Sequence, residues 1–293
     1  MPHTLAHTRP LPREVLQRRI KSAPGPVQPY ACDYPAGWDT GRHRHIRTQL
    51  VFATRGVMTV STPAGWWVVP PQLAVWIPAR LEHALLMHRA VKLRTLYLDE
   101  RLPRLPTEPR VVNVSPLLRE LILRLMELPA EATAYGAGAR LVAVLLDELH
   151  EERTMPLHLP EPDDPALRRI CTALRDDPAN RDDLAAWGQA VGASPRTLAR
   201  RFQAQTGMGF AAWRQQARLL AALPMLAAGR PVTVVSQEVG YESPSAFIAA
   251  FRRSLGVSPG RYFSPRPAAI EIDTSSEWST ADRYRPAPRP GRP

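Results

Sequence analysis

The sequence predicts an α+β chain, an N-terminal β-barrel with two appended helices followed by an all-α C-terminal part. Three observations lead there. Short Val-, Trp- and Ile-rich runs separated by turn residues extend to about residue 98, apolar spacing turns helical after Ser115, and one two-helix unit occurs twice before Gly256. A chain of 293 residues accommodates two cores, since one core serves about 100 to 200 residues.

Residues 1–30 mix Pro, Arg and His without a sustained apolar period, and a disordered tail is expected there. Residues 31–110 form the predicted barrel. Its strands are expected at 49–54, 57–61, 65–69, 74–77, 84–88 and 93–98, with turns at Arg55-Gly56, Pro63-Ala64-Gly65 and Pro70-Pro71. In the helical pair at 111–152, Ser115 is an N-cap and Pro116 the first helical residue. Leu117, Leu118, Leu121, Ile122, Leu125 and Leu128 make one stripe, and Leu141, Val144, Leu145 and Leu149 the other. Such a pair either covers the barrel or offers a homodimer surface. Pro156, Pro160 and Pro162 with Glu161 mark 153–162 as a linker, and the Pro/Arg-rich 264–293 reads as a second disordered tail.

A net charge of +11 favours an anionic partner, and arginine carries nearly all of the positive charge, Lys21 and Lys92 being the only lysines. Arginine suits bidentate contacts to phosphate and guanine, although a GC-rich genome produces the same bias. Cys32 and Cys171 fall in different predicted domains, so no disulfide framework is expected. No apolar run reaches the roughly 20 residues that span a bilayer, and the N-terminus lacks a signal-peptide core. A reduced, cytoplasmic location without membrane contact is the expectation.

The C-terminal part, 163–263, carries the repeat. A helix at 183–191 runs into Gly192, and Ser194-Pro195 then opens a helix with Leu198 and Phe202 that ends at Gly207. A helix at 232–239 runs into Gly240, and Ser243-Pro244 opens a helix with Phe247 and Phe251 that ends at Gly256. From Ser194/Ser243 onward the offset is 49 residues. Glycine accepts the left-handed backbone that ends a helix, serine caps the next one, and proline fits its first position. This is a helix-turn-helix in tandem. The segment 210–228 between the units reads as a connecting helix that Pro224 should kink or split. A rigid connector would set the two recognition helices roughly one DNA turn apart, about 34 to 36 Å.

The string Gly240-Tyr241-Glu242-Ser243-Pro244-Ser245-Ala246-Phe247, continued by Phe251-Arg252-Arg253 and Gly256-Val257-Ser258-Pro259-Gly260-Arg261-Tyr262, resembles the signature of the AraC/XylS family of transcription regulators. The resemblance covers about 100 residues. More loosely, Trp66-Trp67-Val68-Val69-Pro70-Pro71 and Val75-Trp76-Ile77-Pro78-Ala79 through His83 resemble the cupin-type sensor of one branch of that family. The resemblance implies a sequence-specific DNA-binding regulator controlled by a small-molecule effector held in the cupin-like domain. Its partners would be double-stranded DNA, the unidentified effector, a second copy in a homodimer, and RNA polymerase if the output is activation. It implies base reading by Arg196, Thr197 and Arg200, with Ser194 at the cap and Arg201 at a phosphate. In the second unit Ser243, Ser245, Arg252 and Arg253 would position the backbone, because Ile248 and Ala249 offer little to base edges.

His43, His45 and His83, with Gln49, admit three readings: a metal site, the lining of a ligand pocket, or a structural or exposed role. Metal-binding cupins usually have a Glu near the place of Gln49, so metal is the least favoured. Ligand contacts are assigned to His43, His45, Gln49, Trp76 and His83, and no metal, cofactor or catalytic residue is expected. Phosphate-binding Gly loops, Gly-x-Ser-x-Gly elbows and Cys pairs at zinc spacing are lacking. A cupin enzyme fused to a DNA-binding domain would need metal and turnover, and a nucleoid-type protein would show no preference for a target sequence.

Overall fold

In the computed structural model, which describes residues 6–7, 10–71, 73–151 and 157–263, the N-terminal part is built of two sheets. The larger runs β1 (Ala6–His7), β2 (Val27–Tyr34), β8 (Val91–Leu98), β3 (Thr48–Arg55), β6 (Leu73–Ile77) and β9 (Arg110–Asn113). The smaller runs β10 (His158–Pro160), β5 (Gly65–Val69), β4 (Met58–Thr62) and β7 (Ala84–Met87). All pairs are antiparallel except β1 with β2. Each of the six expected strands forms, with no end shifted by more than two residues.

Strand alternation gives the larger sheet two buried faces. Along β3, Val51 and Ala53 join the core shared with the smaller sheet, whereas Leu50 and Phe52 join a second core beneath the helical pair. That pair is α2 (Pro116–Met126) and α3 (Gly136–Glu151). Ser115 caps α2 by accepting from Leu118 N at 3.0 Å. Leu118, Leu121, Ile122 and Leu125 of α2, with Leu145 and Leu149 of α3, pack on Trp76, Leu96 and Val112. The pair therefore covers the barrel. Leu117 and Val144, expected on the apolar stripes, are exposed by 51% and 41%.

Two expected irregular segments are ordered. Within 1–30, helix α1 (Arg13–Lys21) forms and β2 begins at Val27. The sequence of α1 has few apolar steps and no side-chain cap, so its signal is weak. Its contacts are tertiary: Ile20 is buried, and Leu11 and Leu16 pack on the barrel core. β2 was hidden by Pro29, but β1 pairs only with Ala31 and Cys32, so at Pro29 it is an edge, where proline is tolerated. Of the expected linker 153–162, residues 153–156 lie outside the described residues, and the remainder contains β10, paired with β5. Leu157 and Leu159 are buried, a period-2 signal obscured by the prolines around it. The tail 264–293 also lies outside the described residues.

The C-terminal part has seven helices among the described residues: α4 (Pro165–Asp176), α5 (Leu184–Val191), α6 (Pro195–Thr206), α7 (Phe210–Ala227), α8 (Val232–Glu238), α9 (Pro244–Leu255) and α10 (Pro259–Phe263). Pro224 does not split α7, which continues to Ala227. It sits in the last turn, where a missing N–H removes a single ladder bond near a terminus. One apolar cluster runs from the barrel through Leu157 and Leu159 into α4 and α7. At that junction Trp213 Nε1 donates to Pro160 O at 2.9 Å, Arg175 pairs with Glu161, and the Arg175 guanidinium lies 5.5 Å over the Trp66 ring. No helix among the described residues is long and apolar enough to cross a membrane.

Candidate DNA interface and sensor cavity

Both two-helix units are built on the expected frame. In the first, Asp183 caps α5 through Ala185 N and Ala186 N, Gly192 is left-handed (φ 71), and Ser194 accepts from Thr197 N at 3.2 Å to start α6. In the second, Gly240 is left-handed (φ 81) and Ser243 accepts from Ala246 N at 3.2 Å to start α9. Phe202 and Phe251 are fully buried, Phe202 edge-on to Trp213 at 5.8 Å and Phe251 edge-on to Tyr262 at 5.5 Å. The second turn is one residue longer, with Tyr241 and Glu242 where the first has Ala193 alone. Arg218, on α7, donates to Pro178 O and Asn180 O, which ties the connector to the α4–α5 loop.

The recognition faces differ more than their frames. On α6, Arg196 and Arg200 are exposed, a turn apart on one face. Thr197 is half-buried and its hydroxyl bonds Ser194 Oγ at 2.9 Å. Arg201 points elsewhere, pairing with Asp164 at 3.2 Å, the residue that caps α4. On α9, Ser245, Ala249, Arg252 and Arg253 are exposed and Ile248 is half-buried. Arginine thus leads at the start of α6 and at the end of α9.

The barrel holds a cavity of about 130 Å³ beneath α1. Leu11, Arg13, Leu16, Gln17 and Ile20 form its roof, and Tyr34, Trp38, His43, His45, Gln49 and Tyr97 line it below. Arg13 donates to Thr40 O, and Gln17 Nε2 donates to Arg44 O at 2.9 Å, so the roof is fastened to the loop that carries His43 and His45. Gln49 Nε2 donates to Thr95 Oγ1 at 3.0 Å and to Tyr97 OH at 3.2 Å, which leaves its Oε1 beside His45 Nε2 at 2.9 Å. His83 is fully buried, 4.4 Å from the His43 ring and 4.9 Å from the His45 ring. Ligating atoms of the three histidines all lie within 4.8 Å of one another. Burial lowers the pKa of all three, and with the other two histidines nearby His83 is pushed down to about 3.

Trp76 is not part of this site. Register sets Gln49 opposite Ile77 and Leu50 opposite Trp76, so Trp76 shares the outer face with Leu50, and its Nε1 donates to Pro106 O at 2.9 Å. A one-residue difference in strand parity moves the ring from the cavity to the core under α2 and α3.

Comparison with known proteins settles the family. A family model described as a helix-turn-helix domain matches residues 187–264. The HTH-type transcriptional regulator NimR of Escherichia coli is 36% identical over 222 residues, covering 76% of this chain and 81% of NimR. The arabinose operon regulatory protein of Escherichia coli is 30% identical over 132 residues, 43% of this chain and 45% of its own. The chain belongs to the AraC/XylS family of transcription regulators. A solved structure of fatty-acid-bound ToxT from Vibrio cholerae is similar over 81% of this chain and 94% of ToxT, at 10% identity and a TM-score of 0.35, a likeness too loose to add to the assignment. The regulator is a DNA-binding protein and not an enzyme.

His43, His45, Gln49 and His83, grouped by the sequence pattern, meet in the structure. The roof of the regulator's cavity is not foreshadowed by that pattern. Tyr34 and Tyr97 had a signal: each is an aromatic in an apolar strand, and Tyr97 is on the same sheet face as Gln49, its partner in register. Helix α1 had almost none.

Proposed function

We propose that this regulator recognises its operator chiefly through α6 and is controlled by a small molecule bound in the cavity beneath α1. The observation that carries the reading is the cavity itself, a space where Gln49, Tyr97 and histidines converge below a short helix that packs on the barrel through Leu16 and Ile20 and bonds to one loop through Arg13 and Gln17. At about 130 Å³ it is smaller than the roughly 300–1,000 Å³ of ordinary ligand pockets, so a larger ligand would extend through its mouth or displace α1.

Arg196 and Arg200 are assigned to base edges, Thr197 to a supporting contact, and Arg252 and Arg253 to phosphates. Ser194, Ser243 and Ser245 are assigned to the DNA backbone, since N–H groups at the start of a helix favour phosphate oxygens. For Arg201 the phosphate role competes with its pairing to Asp164. Coupling has a route in the smaller sheet. Leu85 of β7 lines the cavity at one edge, and β10 at the other edge leads within five residues to α4. A ligand shifts DNA affinity only by its differential affinity for two states. Operator titrations with and without a ligand shown to bind the chain test the proposal, and superimposable curves would overturn it.

A further inference from the structure

Two loops bring the three imidazoles together. His43 and His83 form a reciprocal backbone bridge, His43 N to His83 O at 2.9 Å and His83 N to His43 O at 2.8 Å. His45, two residues along from His43, is held to the second loop through Arg80 N, which donates to His45 O at 2.8 Å. Each ring then turns its Nδ1 onto a backbone carbonyl: His43 onto Gly41 O at 2.9 Å, His45 onto Arg47 O at 2.6 Å and His83 onto Leu81 O at 2.8 Å. A carbonyl oxygen only accepts, so each Nδ1 carries the proton. In a neutral ring Nε2 is then a bare lone pair.

The lone pairs lack a shared partner. His83 Nε2 is buried without any hydrogen bond. His45 Nε2 lies beside the Gln49 side-chain amide, 2.9 Å from its oxygen. A single proton would relieve one such pair and leave the rest. A cation bound by all of them would relieve the whole cluster, and the anchoring of Nδ1 on carbonyls is the support that metal-binding histidines commonly have.

We propose that His43, His45 and His83 hold one late first-row divalent metal ion through their Nε2 atoms, with Gln49 Oε1 beside it as a neutral fourth donor. Three imidazoles with no carboxylate suit Zn²⁺, Co²⁺ or Ni²⁺ and disfavour Mg²⁺ and Ca²⁺, which prefer oxygen and negative charge. Tetrahedral coordination at about 2.0–2.1 Å requires nitrogens about 3.3 Å apart. From within 4.8 Å, the rings reach that spacing by small rotations about their side-chain bonds. The sequence argued against metal because Gln49 stands where a carboxylate is usual, and the carbonyl anchoring that favours it is visible only in three dimensions. This site stands on the histidines and does not require the effector reading.

The test uses the full, untagged chain. Co²⁺ is titrated in while visible ligand-field absorption is followed, Zn²⁺ is then added as competitor, and bound metal is measured by elemental analysis after desalting. The expected result is one ion per chain, displaced by Zn²⁺. His43→Ala and His83→Ala should each weaken binding by at least about 100-fold, while His88→Ala and His158→Ala leave it unchanged. Should the buried His83→Ala variant fail to fold, the half-buried His43 decides, with circular dichroism to verify folding. Absence of stoichiometric Co²⁺ binding, or binding that survives His43→Ala, would overturn the proposal. Metal binding without any effect of small molecules on the operator titration would instead sink the effector reading alone.

Discussion

The two helix-turn-helix units keep the same skeleton and differ in what they show to DNA. Left-handed glycines, serine caps, prolines at the first helical position and buried phenylalanines occur in both, because each of them helps the unit fold. The outward residues are free of that requirement and have diverged. α6 leads with Arg196 and Arg200, whereas at its start α9 offers Ser245 and Ala249 and keeps its arginines for its end. Even the frames part at one point. Gly188 lies where an added Cβ would be 2.4 Å from Ala193 O, yet its counterpart before the longer second turn is Ser236, buried and bonded to Thr233 O at 2.8 Å. Folding chemistry is duplicated, and reading chemistry is not.

The largest expected effects test the shared skeleton. Phe202→Ala and Phe251→Ala should each cost about 3–5 kcal/mol in denaturant unfolding; a loss at only one of them would show that the units are not equivalent in packing. Next comes the divergence. Arg200→Ala should cost about 1–3 kcal/mol on the operator and relax one base position, while Arg252→Ala should weaken operator and scrambled duplexes alike and lower the salt slope by about 1. Equal losses of specificity from the two variants, measured at matched salt, would erase the contrast. Gly188→Ala should destabilise by about 1–2 kcal/mol despite the better helix propensity of alanine, and Ser236→Ala by about 1 kcal/mol or less through one lost hydrogen bond. Thermal melts compare the two, and a neutral Gly188→Ala would mean that the turn yields. The smallest effects are at the caps, where Ser194→Ala and Ser243→Ala should each cost about 1 kcal/mol, read from amide exchange in α6 and α9.

Much of this organisation was legible in the chain. Strands β3 to β8 announced themselves by β-branched and aromatic runs between turns, and the DNA-binding half by a repeat whose glycines and serines recur in order. Where tertiary context decides, local signals failed. Helix α1 depends on Leu16 and Ile20 finding the barrel, β10 depends on pairing with β5, and Pro224 is harmless only because α7 ends three residues later. At the candidate site, His43 and His45 were legible as alternate residues on one strand-like face, and His83 as a histidine on a neighbouring segment. Trp76 was misplaced by strand parity, which a sequence does not fix. The orientation of each imidazole depends on carbonyls of loop residues that carry no signal of their own.

Strand β10 bears on how the chain can be divided. Because His158–Pro160 completes the smaller sheet, and Pro160 also supplies the acceptor for Trp213, the boundary between the halves runs through a sheet rather than through a tether. A fragment cut just before α4 would keep the edge strand on the barrel but leave the Trp213 indole without its acceptor. Severed at that point, the DNA-binding half carries the wound, and the cut that spares it would have to take part of the sensor's sheet with it.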